Sequence, residues 1–215
     1  MKTVTLEKAV ELIPDGASVM VGGFMGVGTP ERLMDELVRQ GRRGLTVIAN
    51  DTARPGRGIG KLVTSGVASR AIVSHIGLNP ETQKKMMAGE LEVDLVPQGT
   101  LIERIRAGGF GLGGVLTPTG VGTMVEEGKR KIELDGEQYL LETALKADFA
   151  LVESFLADYY GNLVYALTAR NFNPVIAMAA RTVIVDAAHI VPVGMISPDH
   201  VVTPAALVDY VVAHH

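Results

Sequence analysis

The sequence predicts an α/β fold: a mainly parallel open sheet flanked by helices, with a β-hairpin and mixed strands in the second half. Three observations predict it. In the first half, short apolar runs alternate with amphipathic stretches, and strands alternating with helices imply parallel pairing. Hydrophobic residues make up 47% of the 215-residue chain, which suits a sizeable core and argues against disorder. An Asp-Gly pair at Asp135-Gly136, between two strand-like runs, marks a tight hairpin.

The elements follow in order. After the turn pair Asp15-Gly16, the apolar run Val19-Met20-Val21 reads as a buried strand that leads into Gly22-Gly23-Phe24-Met25-Gly26-Val27-Gly28. Thr29 suits the cap of the next helix and Pro30 its first position. Over Pro30–Gln40, Leu33, Met34, Leu37 and Val38 share one face, with Glu31, Arg32, Asp35, Glu36 and Arg39 on the other. Strand Leu45–Ala49 leads into Asn50-Asp51-Thr52, and strand Ala71–Val73 into Ser74-His75-Ile76-Gly77. A helix over Pro80–Ala88 precedes strand Val93–Val96, which leads through Pro97-Gln98-Gly99 into a helix over Thr100–Ala107.

Residues 108–123 read as a long loop. Their glycines and Pro118 disfavour both a helix and a central strand, and so long a loop is usually functional. The hairpin follows, with Lys131–Leu134 and Glu137–Glu142 as its arms. Further strands are predicted at Phe149–Val152, Leu163–Tyr165, Thr182–Val185 and Leu207–Val212, with a helix starting near Pro174 and capped by Asn173. With no internal repeat and no low-complexity linker, residues 1–215 read as one domain.

Composition excludes several classes of function. The net charge of -4, the lack of Trp and the lack of a basic cluster with interleaved aromatics argue against a nucleic-acid binder. Without cysteine there is no disulfide, no thiolate metal site and no Cys nucleophile. Met1–Lys8 lacks the apolar core of a signal peptide. The long apolar stretch Pro174–Ile196 is interrupted by Arg181, Asp186 and His189, so it reads as buried helix and strand rather than a membrane span. The cytoplasm is the default location. The terminal pair His214-His215 is either native or the start of a tag.

In open parallel sheets, ligands bind beyond the carboxyl ends of the strands, where these four strand-to-helix loops would gather. A plainer reading makes them only tight turns. Gly22, Gly23, Gly26 and Gly28 would let backbone approach a ligand, and amide N–H groups there would favour an anionic guest. Gln98 stands out. Pro97 fixes its approach, Gly99 allows a tight turn into the next helix, and a side-chain amide held there can donate to a developing oxyanion.

Other candidates carry less. His75 reads first as a satisfied structural histidine and second as a polar contact at the ligand edge. Residues 109–114 match the spacing G-x-G-x-x-G, but no strand precedes them and no helix start follows, so a mobile covering loop is the better reading. The five histidines show no metal spacing. Asp94, His189 and His200 read as ordinary partners or surface residues, and Glu126-Glu127 and Lys129-Arg130-Lys131 as solvated surface.

Several segments carry a resemblance. They are Asp15-Gly16, Val19-Met20-Val21, Gly22-Gly23-Phe24, Gly28 and Pro30 in the first motif, and Val96-Pro97-Gln98-Gly99-Thr100-Leu101-Ile102-Glu103-Arg104-Ile105-Arg106 in the second. Gly108-Gly109, Thr117-Pro118-Thr119-Gly120, Gly161-Asn162 and Ala169-Arg170-Asn171-Phe172-Asn173-Pro174 complete them. Together they resemble the alpha chains of the family I CoA-transferases, nearest to those of bacterial acetate/acetoacetate enzymes.

That resemblance implies ping-pong transfer of CoA between carboxylic acids. It assigns Gln98 to polarising the acyl carbonyl and the Gly22–Gly28 segment to binding CoA. It implies CoA or acyl-CoA as substrate, no permanently bound cofactor, no metal, and no nucleic-acid or membrane partner. It also implies a beta subunit that supplies the nucleophilic glutamate from a Ser-Glu-Asn-Gly motif, in an α2β2 assembly. This chain lacks that tetrapeptide, and Glu153 in Val152-Glu153-Ser154-Phe155 lies in a predicted strand and matches no nucleophile motif. Two other classes stay open. One is a sugar-phosphate isomerase or ligand-sensing domain on a related fold, with its own acid/base carboxylate. The other is a non-catalytic assembly subunit.

Overall fold

Apolar runs and their polar breaks set the order of elements. The structure, a computed structural model, describes residues 3–213; His214-His215 lie outside them. The elements are β1 (Thr3–Val4), α1 (Leu6–Glu11), β2 (Ser18–Val21), α2 (Glu31–Arg39), β3 (Leu45–Ile48), α3 (Ile59–Thr64) and β4 (Ala68–Val73). Next come α4 (Pro80–Met87), β5 (Glu92–Leu95), α5 (Gln98–Gly109), β6 (Gly114–Thr117), β7 (Lys131–Leu134) and β8 (Glu137–Thr143). The chain closes with β9 (Ala147–Asp158), β10 (Leu163–Val164), α6 (Asn173–Ile176), β11 (Ala180–Val191) and β12 (Tyr210–Val212).

The main sheet runs β1-β12-β11-β9-β2-β3-β4-β5, with β10 added against β9. Every pair along that path is parallel, and only β10 pairs antiparallel. A second, three-stranded antiparallel sheet has the order β6-β8-β7. This is the mainly parallel sheet with a hairpin that the alternation predicts.

Alternate residues of each strand feed two cores. On one face Val19, Val21, Val47, Leu151 and Ile184 pack with Leu33, Met34 and Leu37 of α2 and Leu62 of α3. On the other, Met20, Ile48, Ala150, Val152 and Val185 pack with Leu101 and Ile105 of α5 and Ile176 of α6. Both faces of a parallel sheet are thus covered, which is why its strands read as continuous apolar runs.

Several expectations need correction. Thr29 does not cap α2: Pro30 is the boundary residue, with no side-chain cap bond. Asn173 does not cap α6 either; it lies inside the helix, and its amide serves three other backbone groups. Glu36, expected on the polar face, is buried, and hydrogen bonds from Arg39 hold its carboxyl below the usual range against the cost of burial.

Residues 108–123 are not one loop. α5 continues through Gly108-Gly109, where close packing against Leu145 and Met178 leaves no room for a Cβ. Gly114–Thr117 then forms an edge strand, and Gly114 lets the chain approach Glu142 of β8 closely. The G-x-G-x-x-G spacing therefore spans a helix end and an edge strand, not a dinucleotide turn.

Strands β9 and β11 outrun the expected Phe149–Val152 and Thr182–Val185. Their pairing continues past Glu153-Ser154 and Asp186 to Val191↔Asp158. Polar residues hide this continuation from a reading based on apolar runs. Leu207–Val212 shortens to Tyr210–Val212, because Val208 N–H closes a 3-10 turn on Ala205 O before pairing starts. Helices α1 and α3 lie in segments where no element is predicted.

Candidate functional site

Four strands deliver their loops to one place. The residues after β2, β3, β4 and β5 line a single cavity of about 510 Å³, formed by Phe24, Met25, Asn50, Asp51, Ser74, His75, Leu78 and Gln98. This is the carboxyl edge of the parallel sheet, as the loop order predicts. Gln98 and the glycine segment, separated by most of the N-terminal half, therefore line one cavity.

The glycine segment is a tight hairpin turn. Phe24 and Val27 exchange reciprocal backbone hydrogen bonds of 3.0 and 2.9 Å, with Met25 at φ 54° and Gly26 at φ 86° between them. Two left-handed residues in succession are the signature of the primed turns that close two-residue hairpins. Phe24 and Val27 point outward, 46% and 47% exposed, so the turn presents apolar side chains.

Five of its seven amides are already engaged within the protein. Gly22 N–H donates to Leu151 O, Gly23 N–H to Asn171 Oδ1, Phe24 N–H to Val27 O, Met25 N–H to Asp51 Oδ2 and Val27 N–H to Phe24 O. The glycines answer to the protein's own packing as well. A Cβ on Gly22 would lie 2.5 Å from Asn173 Cγ, one on Gly23 would overlap Thr29, and one on Gly28 would meet Ala169 Cα at 2.9 Å. At these three positions the protein's own packing already requires glycine.

Gln98 is the first residue of α5 and is exposed. Its Nε2 donates to Asn50 Oδ1 at 2.6 Å. Gly99 follows as an ordinary helical residue, with no atom within 4 Å of an added Cβ. It provides no special turn; the change of direction falls at Pro97. The end of β6 and the turn after it approach here: Leu116, Thr117 and Thr119 share a smaller cavity with Gly99 and Thr100.

Sequence reasoning missed Asn50 and Asp51 as functional candidates, although it placed their loop on this edge. Asp51 is 4% exposed and accepts three hydrogen bonds. These come from Met25 N–H at 2.9 Å and Asn50 Nδ2 at 2.6 Å on Oδ2, and from Ala53 N–H at 2.7 Å on Oδ1. Ser74 Oγ donates to Asn50 O at 2.7 Å and completes the cluster. An adjacent Asn-Asp pair after a strand is the only sequence signal that pointed to them.

His75 also departs from its first reading. It is exposed and lines the cavity instead of resting in the core. Among the described residues, no group of His, Cys, Asp or Glu has metal-binding geometry, and no helix is long and apolar enough to cross a membrane. Glu153 does not line the cavity. It sits in β9 opposite Asp186, which is bound by Arg32, and burial together with the Asp186 charge pushes its carboxyl above the usual glutamate range.

Known proteins resemble this chain along its length. The coenzyme A transferase family model matches residues 3–214. The acetate CoA-transferase alpha subunit of Escherichia coli (strain K12) is 54% identical over 98% of this chain and 96% of its own. The acetoacetyl-CoA:acetate/butyrate CoA transferase alpha subunit of Clostridium acetobutylicum is 49% identical over 98% of this chain and 97% of its own. Among solved structures, an acyl-CoA transferase from E. coli O157:H7, in a thioester complex with CoA, shares the fold with a TM-score of 0.87 at 24% identity. That match covers 99% of this chain and 47% of the other, so this chain spans about half of that protein's length.

Proposed function

The chain belongs to the coenzyme A transferase family as one of its alpha subunits, and from that premise we propose that it serves a short-chain acyl-CoA:carboxylate transferase of the acetate/acetoacetate type. In this reading it is half of an active site, in an α2β2 assembly whose beta subunit carries the nucleophilic glutamate. The names of the two relatives support the substrate class. The half-length match to a longer transferase chain supports a divided enzyme.

The observation that carries the proposal is the shared cavity. Gln98 and the Phe24–Val27 turn face one space, and among the described residues the only carboxylate lining it is Asp51. Asp51 is buried, with both oxygens already accepting hydrogen bonds, so it is a poor nucleophile or base. An acid from elsewhere is needed, which also weighs against a self-sufficient isomerase.

The chemistry then runs in two halves. The partner glutamate attacks the acyl-CoA thioester, expels the CoA thiolate and forms a mixed anhydride. The thiolate attacks the glutamyl carbonyl, releases the first carboxylate and leaves a glutamyl thioester. A second carboxylate attacks that thioester, expels the thiolate and forms a second anhydride; the thiolate then attacks its acyl carbonyl, giving the new acyl-CoA and freeing the glutamate. Each attack passes through a tetrahedral oxyanion. Gln98 Nε2 has two N–H groups; one is given to Asn50 and the other is available for that oxygen. A donor so placed is worth on the order of 3 kcal/mol. The outward Phe24 and Val27 offer apolar contact to CoA or the acyl chain. The turn region at residues 117–122, with the partner, would keep water from the anhydride.

The test is reconstitution. The purified chain, a beta subunit bearing Ser-Glu-Asn-Gly, and their mixture are assayed with acetate and acetoacetyl-CoA. Turnover is expected only from the mixture. Robust turnover by the chain alone overturns the divided site. An inactive but fully assembled mixture favours the non-catalytic assembly role.

A further inference from the structure

A buried carboxylate that only accepts hydrogen bonds fixes the orientation of every amide it touches. Asn50 is 2% exposed and stands between Asp51 and Gln98. Asp51 Oδ2 can receive only the Nδ2 side of Asn50, at 2.6 Å. Asn50 Oδ1 must then face Gln98, and an oxygen there can receive only Nε2, again at 2.6 Å. Neither amide is free to flip. Gln98 is exposed, so packing alone does not hold that amide.

The same carboxylate reaches the opposite wall. Asp51 Oδ2 accepts the N–H of Met25, a non-glycine residue at φ 54°. Such a conformation is unfavourable for a residue with a Cβ and persists only when its surroundings hold it. Ala53, also left-handed at φ 51°, is held through Oδ1. One buried side chain thus ties the glycine turn, its own loop and the Gln98 amide into a single unit.

We propose that Asp51 is a positioning residue for the transferase reaction: through Asn50 it sets which atoms of the Gln98 amide face the reacting carbonyl, and through Met25 it holds the turn opposite. This rests on the reading of Gln98 as the oxyanion donor. Asp51 itself touches no substrate. Its loss acts by letting the Asn50 and Gln98 amides rotate, because an asparagine in its place can present either an oxygen or an NH₂ group.

The experiment compares Asp51→Asn, Gln98→Ala and the double variant in the reconstituted alpha–beta enzyme, with kcat and KM for acetoacetyl-CoA measured separately. Gln98→Ala is expected to lower kcat about 100-fold. Asp51→Asn should lower kcat at least about tenfold with KM changed less than about threefold, and the double variant should be no slower than Gln98→Ala alone. The Gln98 side-chain NH₂ resonance should shift in Asp51→Asn, while that of the remote Gln138 stays in place. Should Asp51→Asn fail to fold, Asn50→Ala cuts the link and leaves the contacts of Asp51 with Met25 and Ala53. Multiplicative losses in the double variant, or an unaltered Asp51→Asn (or Asn50→Ala) enzyme beside a crippled Gln98→Ala, overturn the positioning role and leave the function intact. A silent Gln98→Ala instead removes the donor on which both readings stand.

Discussion

Gly22→Ala tests what the glycine segment is for. A Cβ on Gly22 would lie 2.5 Å from Asn173 Cγ and 2.9 Å from its Nδ2, so the asparagine must leave. Asn173 is 0% exposed and its amide makes three bonds to backbone: Oδ1 accepts Glu153 N–H at 3.0 Å, and Nδ2 donates to Gly28 O at 2.8 Å and Ala169 O at 2.9 Å. Those partners belong to β9, the glycine segment and the turn before α6. With little water to replace the lost bonds, about 1 kcal/mol each plus the penalty for orphaned buried groups gives about 3–5 kcal/mol of destabilisation. Urea unfolding of the purified chain measures it. Gly99→Ala is the internal control: the position is helical and open, so the change should be neutral or stabilise by up to about 1 kcal/mol. A Gly22→Ala chain within about 1 kcal/mol of the parent, but deficient in CoA binding, would refute the packing argument and restore a ligand-clearance role.

Three further outcomes follow from the same geometry. Gln98→Ala should assemble normally with the beta subunit while losing about 100-fold in kcat; an unchanged rate excludes it from the mechanism. Glu153 holds its proton to higher pH in the folded chain than in the unfolded one, first through burial and then through the Asp186 charge. Its contribution therefore falls as pH rises from the ordinary glutamate range through the folded value. Glu153→Gln should accordingly be more stable than the parent at neutral pH, with the gap closing toward about pH 4; urea midpoints across pH measure this, and a gap that widens in acid contradicts it. Asp158 Oδ1 accepts the N–H groups of Tyr160, Gly161 and Asn162, each at 2.9 Å, and Oδ2 accepts Asn162 Nδ2 at 2.7 Å. Burial opposes its ionisation, yet these bonds together keep its carboxyl below the usual range. Asp158→Ala should cost on the order of 3–5 kcal/mol in thermal or urea unfolding, and a loss under about 1 kcal/mol would mean the turn after β9 holds without it.

Local patterns were enough for most strands of the parallel sheet. Val19-Met20-Val21, Leu45–Ile48 and the other apolar runs identify strands, and the helices between them force parallel pairing. Parallel pairing in turn brings the loops after β2, β3, β4 and β5 to one edge. Gln98 and Phe24-Met25 were therefore legible as neighbours before any coordinates. The Asp135-Gly136 hairpin was legible for the same reason: its signal lies within a few residues.

What the sequence could not determine depends on contacts between distant segments. Gly22, Gly23 and Gly28 look alike in sequence to glycines that clear space for a ligand; only the packed chain reveals Asn173, Thr29 and Ala169 against them. Thr29 and Asn173 carry the chemistry of helix caps, but Thr29 packs against Gly23 and the amide of Asn173 bonds distant backbone. β6 has no apolar signature of its own and exists because β8 offers an edge to pair with. Asp51 reads as one of 24 acidic residues until folding buries it between a backbone N–H from another loop and the amide of its neighbour Asn50, which faces Gln98. Periodicity is a property of neighbours in the chain, so sequence alone settles the main strands and helices and their order, but not β1, α1, α3, β6 or the full length of β9 and β11. Which donor meets which acceptor is settled only when the sheet closes and water is removed from between them.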